Sequence, residues 1–417
     1  MVRAGKVTVL RGDAHHLPLP DNSVDLIVTS PPYFALRSYT DGGVHYPGQV
    51  GAEATPAEFV DALVAVTREC VRVLKPSGSI FVNLGDKYAG SVAGQNNNGS
   101  GGSTLGHHKG GGGPHAEKLT QVRSGHRITS GVRPKSLIGI PWRYALRCID
   151  DLGLILRAEV IWSKPNGLPE SVTDRVRRSH EQWFHFVTQP RYFSAVDEIR
   201  EPATTMGKVS GKGSGQALGS ILMRPQTMDP ERQYHPLGKL PGSVWTVPTE
   251  PLRVPEHLGV DHFAAFPTEW PRRIVAGWSP SGVCTGCGEV RRPVVDRDRR
   301  ILTGNFGNDM AGHGQDGRSG QRAEAAVTIT GYACACPDTT APTRPAVVLD
   351  PFGGTGTTAH VAHALGRHGI SVDMSADYSR IAADPTVQDG RLRKILGVSK
   401  VPAQVAGQGD LWDEVGA

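Results

Sequence analysis

The chain has 417 residues, 38% of them hydrophobic and 20% charged, which suits one large α/β core with insertions or two domains and selects no function by itself. A net charge of +5 suits a polyanionic partner without requiring one, and no apolar run approaches the roughly 20 residues that span a bilayer. The N-terminus, Met1 to Gly5, lacks the apolar stretch of a signal peptide, so the expectation is a soluble cytoplasmic protein with no membrane partner.

In chain order, Val7 to Leu10 and Asp25 to Thr29 read as buried strands, the second running directly into Ser30, Pro31, Pro32 and Tyr33. Thr55-Pro56-Ala57-Glu58 is a capping box with Pro at the first helical position, and Phe59, Leu63, Val66, Cys70, Val73 and Leu74 keep the helical period to about Leu74. Lys75 to Gly78 reads as a stop, and Ser79 to Leu84 as the next strand of a mostly parallel sheet. Residues 89–115 are nearly all Gly, Ser, Asn and His and predict a mobile loop within an insertion of about 89–133. A helix is expected over about Leu137 to Asp151, strands over Leu154 to Trp162 and Trp183 to Thr188, and a helix near Thr268 to Trp278. Ala346 to Leu349, a Gly-rich turn, a helix from about Thr357 to Leu365 and a strand Gly369 to Asp373 make a βαβ unit, with a disordered tail after about Val398.

The turn from Asp350 to Thr358 follows a strand, opens a helix and holds Gly353, Gly354 and Gly356, a geometry suited to a nucleotide-like ligand at the carboxyl end of a parallel sheet. Asp373, at the end of the next strand, is placed to accept hydrogen bonds from ribose hydroxyls. Pro351 lacks the N–H that a pyrophosphate-binding turn uses, so S-adenosylmethionine, with a ribose and no phosphate, fits better than a dinucleotide. Asp350 is then placed to approach its cationic methionine end. The competing reading is an ordinary Gly-rich connection in another α/β enzyme.

The upstream turn supplies the chemistry. The exocyclic nitrogen of cytosine or adenine is a weak nucleophile because its lone pair is delocalised into the ring, and acceptors aimed at its N–H bonds redirect that lone pair toward an electrophilic methyl. Ser30 offers a hydroxyl acceptor and Pro31 a carbonyl, while Pro31 and Pro32 stiffen the backbone and add no donor. Tyr33 offers a face for an extruded base. Alone, the same residues fit a Pro-Pro turn with a buried Tyr equally well; the downstream turn decides for chemistry. Methylation at cytosine carbon 5 needs a cysteine nucleophile, which in enzymes of that kind follows a proline; none of the six cysteines does.

With these motifs the chain resembles the DNA amino-methyltransferases of restriction-modification systems, in the circularly permuted arrangement where the catalytic motif comes first. The likeness extends through Gly12-Asp13, Leu74-Lys75-Pro76, Asn83 to Asp86, Ile161 to Asn166, Arg178 to Glu181, Ser243 to Trp245 and His262 to Pro267. It implies a Rossmann-like seven-stranded sheet, S-adenosylmethionine as donor, duplex DNA as substrate and, as an open question, a cognate restriction nuclease. It places Ser30, Pro31, Pro32 and Tyr33 at the flipped base. The cofactor set is Asp350, Pro351, Phe352, Gly353, Gly354, Gly356, Thr357, Thr358 and Asp373, with Asp13 at the adenine and Phe266 and Pro267 over the methionine end. Trp162 and Lys164 line the base pocket or simply pack. Ser30, where many adenine enzymes have Asp, resembles the cytosine-N4 subgroup; adenine-N6 methylation by the same machinery is the nearest alternative. RNA or protein amide methylation, or a non-catalytic zinc-containing DNA-binding protein, are more distant ones.

The remaining segments are assigned by composition and by position in the resemblance. Residues 1–200 form the catalytic half, 201–240 a candidate target-recognition region, 241–279 a return to the core, 280–344 a cysteine-containing insertion, and 345–398 the cofactor half. Cys284, Cys287, Cys334 and Cys336 look like two halves of a structural zinc site, weakened by a 46-residue gap, with unligated thiols as the alternative. Arg175, Arg177 and Arg178 are candidate DNA contacts, as are Arg291, Arg292, Arg297, Arg299 and Arg300 less strongly.

Overall fold

The computed structural model describes residues 6–35, 40–41, 44–45, 48–89, 132–167, 170, 172–202, 237–250, 258, 266–303, 321–334, 336 and 341–397. The expected mobile loop, most of the 201–240 region and the tail lie outside the described residues.

In chain order the strands are β1 (Val7–Arg11), β2 (Val24–Thr29), a hairpin of β3 (Thr40–Asp41) and β4 (Val44–His45), β5 (Leu74–Leu84), β6 (Ile155–Ser163), β7 (His180–Val187), β8 (Val244–Thr246), β9 (Val283–Cys284), β10 (Arg292–Thr303), β11 (Gln321–Ala333), β12 (Thr343–Arg344), β13 (Val347–Asp350) and β14 (His368–Asp373). The helices are α1 (Pro56–Val73), α2 (Ile140–Leu152), α3 (Glu269–Trp278), α4 (Thr357–Ala364), α5 (Ala376–Ala383) and α6 (Pro385–Leu396), with a 3₁₀ turn at Val196–Ile199.

Eight strands form the central sheet in the order β1-β14-β13-β2-β5-β7-β6-β8. Only β7 runs antiparallel to its neighbours. The expected count was seven. The eighth is β8, a three-residue edge strand paired with β6 through Trp162 and Trp245, too short to carry a period in sequence. From β13 the chain winds outward to β14, and from β2 it winds the other way to β5. The switch between β13 and β2 opens the crevice in which such Rossmann-like sheets bind ligands, and Asp350 and Thr29 are the last residues of those two strands.

Side chains alternate between the two faces of the sheet, as the strand period requires. Ile27, Ile80, Val82, Leu349 and Val372 pack with α1 and α2, whereas Leu26, Val28, Phe81 and Val348 pack with Trp183, Trp245, Trp270 and α3. Trp183 and Trp270 are fully buried; full burial of an apolar side chain such as Leu26 or Phe81 contributes about 1.5–3 kcal/mol. The β13–β2 ladder is only two residue pairs long, and side chains reinforce both ends of it. At the start Asp25 accepts from the Val347 N–H (2.8 Å) and pairs with Lys75 (2.5 Å); at the end Thr29 donates to Asp350 (2.6 Å).

Local details follow capping chemistry. α1 carries both bonds of the Thr55–Glu58 capping box. Residues 75–78, read from sequence as a turn, instead lie inside β5 as a bulge: the partner of Val24 is Leu74, but that of Leu26 is Ser79. Gly78 is required there, since a Cβ would sit 2.8 Å from the Asp25 carbonyl oxygen. α2 starts at Ile140 rather than near Leu137, which bridges to Tyr88 instead, because the Asp86 carboxylate accepts from the N–H groups of Gly139 (3.0 Å) and Ile140 (3.1 Å). The helices α5 and α6 follow β14, and α6 returns Arg391 to the Gly-rich turn, where its guanidinium donates to the Thr355 carbonyl and hydroxyl.

Candidate active site

The two turns singled out in sequence meet at the switch point, and one carboxylate joins them. Asp350 is buried, accepting from the hydroxyls of Thr29 (2.6 Å) and Thr358 (2.8 Å) and from the Phe352 N–H (3.1 Å). Burial outweighs these three bonds and pushes its pKa up to about 6. Thr29 immediately precedes Ser30, so this clamp sets the catalytic turn relative to the Gly-rich turn.

Ser30 donates its hydroxyl proton to Asn83 Oδ1 (3.2 Å), and Asn83 donates its own amide to the Gln182 carbonyl (3.1 Å). That second bond fixes which end of the amide faces Ser30. The Ser30 oxygen is thereby oriented with its lone pairs available to a third group. The Tyr33 hydroxyl lies 2.8 Å from the same Asn83 oxygen and 2.6 Å from Glu181 Oε2, so its single proton is shared between them. Glu181 is ion-paired with Lys164, whose ammonium sits 4.1 Å from the centre of the Trp162 ring. Gly85 lies against the Tyr33 ring so closely that a Cβ would approach Cε2 to 2.5 Å.

Neither Asn83 nor Glu181 was assigned a role from sequence, although both stand in the blocks that carry the family likeness. The available signal was Asn83 itself, an amide set in the apolar run Ile80 to Leu84 that ends β5, where it is fully buried. Trp162 is core: it is buried, its indole N–H donates to the Val247 carbonyl (2.7 Å), and its ring packs edge-on against Trp270. The indole is thus held from the core side, and Lys164, over its ring, reaches the catalytic turn through Glu181.

At the Gly-rich turn, four backbone N–H groups are consumed internally. Phe352 donates to Asp350 (3.1 Å), Gly353 to the Val372 carbonyl (2.9 Å), Gly354 to Asp373 (2.8 Å) and Gly356 to the Gly353 carbonyl (2.8 Å). A turn that spends these donors, with the half-buried Asp373 carboxylate at its edge and the buried Asp350 carboxylate beneath it, suits a ligand with hydroxyls and positive charge and repels a phosphate. That donor set fits S-adenosylmethionine and argues against a dinucleotide. Gly353 has no room for a side chain, since a Cβ would fall 1.9 Å from Ser371 Oγ, and Gly356 has φ +80° ahead of α4. Thr357 and Thr358 are buried at the helix start, and Pro351 and Phe352 pack below the turn.

Asp13 follows β1, and the Gly12 N–H donates to the Asp373 carbonyl (2.9 Å), so both aspartates stand at the same sheet edge. The Asp13 carboxylate accepts from the His15 backbone and ring (2.9 Å each). Phe266 packs edge-on against Trp183 with ring centres 5.7 Å apart, and the Pro267 carbonyl caps the Trp270 N–H at the start of α3. The three arginines of the 164–178 segment engage their own chain. Arg175 bonds Glu170 (2.8 Å) and stacks 3.8 Å above Tyr88, Arg177 bonds the Gly167 carbonyl (3.1 Å), and Arg178 approaches Asp86 (3.7 Å).

Comparison with known proteins agrees with this geometry. The N6/N4 DNA methylase model matches residues 24–284 and 341–384, more than half of the chain. The chain belongs to the DNA methylase family. Among relatives, the type II methyltransferase M.XycI of Xanthomonas campestris pv. cyanopsidis is 39% identical over 198 residues, which cover 47% of this chain and 59% of that one. M.SmaI of Serratia marcescens is 28% identical over 92% of this chain and 91% of its own length, and M.Cfr9I of Citrobacter freundii 31% identical over 66% and 73%. The solved PvuII DNA methyltransferase (cytosine-N4-specific) aligns over 95% of this chain and 94% of its own with a TM-score of 0.49 and 16% identity. As in other DNA methylases of this family, S-adenosylmethionine is the methyl donor. The match halts at residue 284 and resumes at 341, so β10, β11 and three of the four clustered cysteines lie outside the shared methylase core.

Those four cysteines converge. The sulfurs of Cys284, Cys287, Cys334 and Cys336 all lie within 4.8 Å of one another. The gap that separates the two pairs in sequence is the β10–β11 ribbon. Arg292 lies 5.7 Å from the Phe193 ring and Arg291 donates to the Ala341 carbonyl (2.6 Å) at the base of that ribbon, while the side chains of Arg297, Arg299 and Arg300 lie outside the described residues.

Proposed function

We propose that this DNA methylase transfers a methyl group to the exocyclic N4 of cytosine in duplex DNA, acting on a base extruded from the helix. The observation that carries the reading is the orientation of Ser30. Its proton is taken by Asn83, which leaves the hydroxyl oxygen as an acceptor for one N–H of a substrate amino group. The Pro31 carbonyl is the second acceptor, held by a stiff Pro-Pro backbone. Two acceptors aimed at the two N–H bonds turn the nitrogen lone pair out of ring conjugation.

When bound, S-adenosylmethionine supplies an electrophilic methyl group on a sulfonium. Asp373 and Asp13 would hold its ribose and adenine end, and Gly353 and Gly354 allow close approach of the backbone. Asp350 would supply negative charge toward its cationic end, and it keeps the two turns in register. Tyr33, its edge fixed by Asn83 and Glu181, presents its ring to the extruded base. Duplex DNA as partner agrees with the family and with the net positive charge.

The test is methylation of unmodified plasmid DNA by the purified chain, followed by nucleoside analysis and single-molecule sequencing. N4-methylcytosine within a fixed sequence context is expected. N6-methyladenine would overturn the base assignment, and no transfer to duplex DNA would overturn the activity.

A further inference from the structure

We propose that Cys284, Cys287, Cys334 and Cys336 bind one zinc ion as a tetrathiolate, and that this ion fastens the feet of the β10–β11 ribbon to the methylase core. The four sulfurs lie within 4.8 Å of one another. A tetrahedral zinc with bonds of about 2.3 Å needs sulfurs about 3.8 Å apart. The site thus needs only a small contraction, whereas a disulfide would have to bring two sulfurs to about 2.05 Å.

The backbone around the first pair is that of a metal knuckle. The Gly286 and Cys287 N–H groups point at the Cys284 sulfur, and the Glu289 N–H points at the Cys287 sulfur. Gly288 reverses the chain at φ +74°, its N–H donating to the Cys284 carbonyl (3.0 Å). A Cβ at Gly286 would lie 3.6 Å from Cys336 Sγ and 3.8 Å from Cys284 Sγ, so this glycine roofs the cluster. On binding, the four thiols release four protons and the filled site carries a charge of about −2, which the converging N–H groups are oriented to share. Four thiolates leave no open position, so the ion is structural.

The reason for a metal lies in the ribbon. β10 begins five residues after Cys287, and β11 ends at the residue before Cys334. A two-stranded ribbon is marginally stable alone in water. Its other described attachments are short-range contacts at the feet, among them the two-residue β9–β12 ladder, the Val283–Val290 bridge, the Arg291–Ala341 and Tyr332–Glu198 hydrogen bonds and Arg292 beside Phe193. A zinc ion bonded to both feet closes the insertion at the point where it leaves the core.

Elemental analysis of the purified full chain after dialysis should find about one zinc per chain. Titration with a mercurial should release it, read by a chromogenic chelator, in step with modification of four thiols. The Cys287→Ser, Cys336→Ser variant should lose zinc by more than the roughly tenfold that removal of an outer-shell partner costs. In that variant trypsin should cut within 292–333 while a core fragment persists. Iron with visible charge-transfer bands, a metal-free chain with all six thiols free, or a metal-free chain with two disulfides would each overturn the proposal. Should the variant fail to fold, the wild-type analysis and titration decide alone. None of these readouts depends on which base is methylated.

Discussion

The Asp350 clamp makes the stability of this protein depend on pH in a direction opposite to that of an ordinary ion-paired aspartate. Burial raises its pKa from 3.8 to about 6, so between these values the native state holds a proton that the unfolded chain has released. Stability contributed by the group is therefore complete below the unfolded pKa and declines as pH rises through the folded one. The full cost is about 3 kcal/mol at pH 8, of which about half develops between pH 5 and pH 8. Asp350→Asn removes the titration and keeps the geometry. The amide oxygen still accepts from Thr29, and the amide N–H₂ can donate to Thr358, whose hydroxyl already lies 3.2 Å from the Val28 carbonyl and can donate there. Urea denaturation of both proteins at pH 5 and pH 8, without methyl donor, should show the wild type losing about 1–2 kcal/mol more than the variant across that interval. Parallel pH profiles, with the variant offset by the same amount at both pH values, would refute the assignment of a raised pKa.

Three further outcomes are expected. Ser30→Ala should lower kcat about 100-fold while leaving donor affinity by calorimetry nearly unchanged, since its acceptor acts at the base; a comparable loss of donor binding would place Ser30 elsewhere. Asp373→Ala removes the acceptor of the Gly354 and Ser375 N–H groups and should weaken donor binding by about 10- to 100-fold. Unchanged binding would disconnect β14 from the cofactor. Gly85→Ala drives a Cβ to 2.5 Å from the Tyr33 ring and should cost about 1–3 kcal/mol in stability together with most of the turnover. A fully active, stable variant would mean that the ring can move without consequence.

Much of the site was legible in one dimension because each half is a local motif. A strand followed by Ser30-Pro31-Pro32-Tyr33, and a strand followed by three glycines, are short-range patterns whose backbone consequences do not depend on the rest of the chain. The helix α1 was likewise readable from its own capping box and period. By contrast, β8 is three residues long, and the bulge at residues 75–78 carries a Pro and a Gly that mimic a turn; both exist because neighbouring strands pair with them.

What the sequence by itself determined was the pair of chemical turns, the choice of a phosphate-free cofactor and the absence of a Pro-Cys nucleophile, since these rest on residue identity and spacing. Only the tertiary structure decided that Asp350 joins those turns through Thr29 and Thr358, that Asn83 takes the Ser30 proton, that Glu181 links Lys164 to Tyr33, and that four cysteines meet across a 46-residue gap in sequence. Each of these contacts spans at least two strands of the sheet or both feet of a hairpin, and strand order and ladder register, which no local pattern encodes, bring the partners within reach.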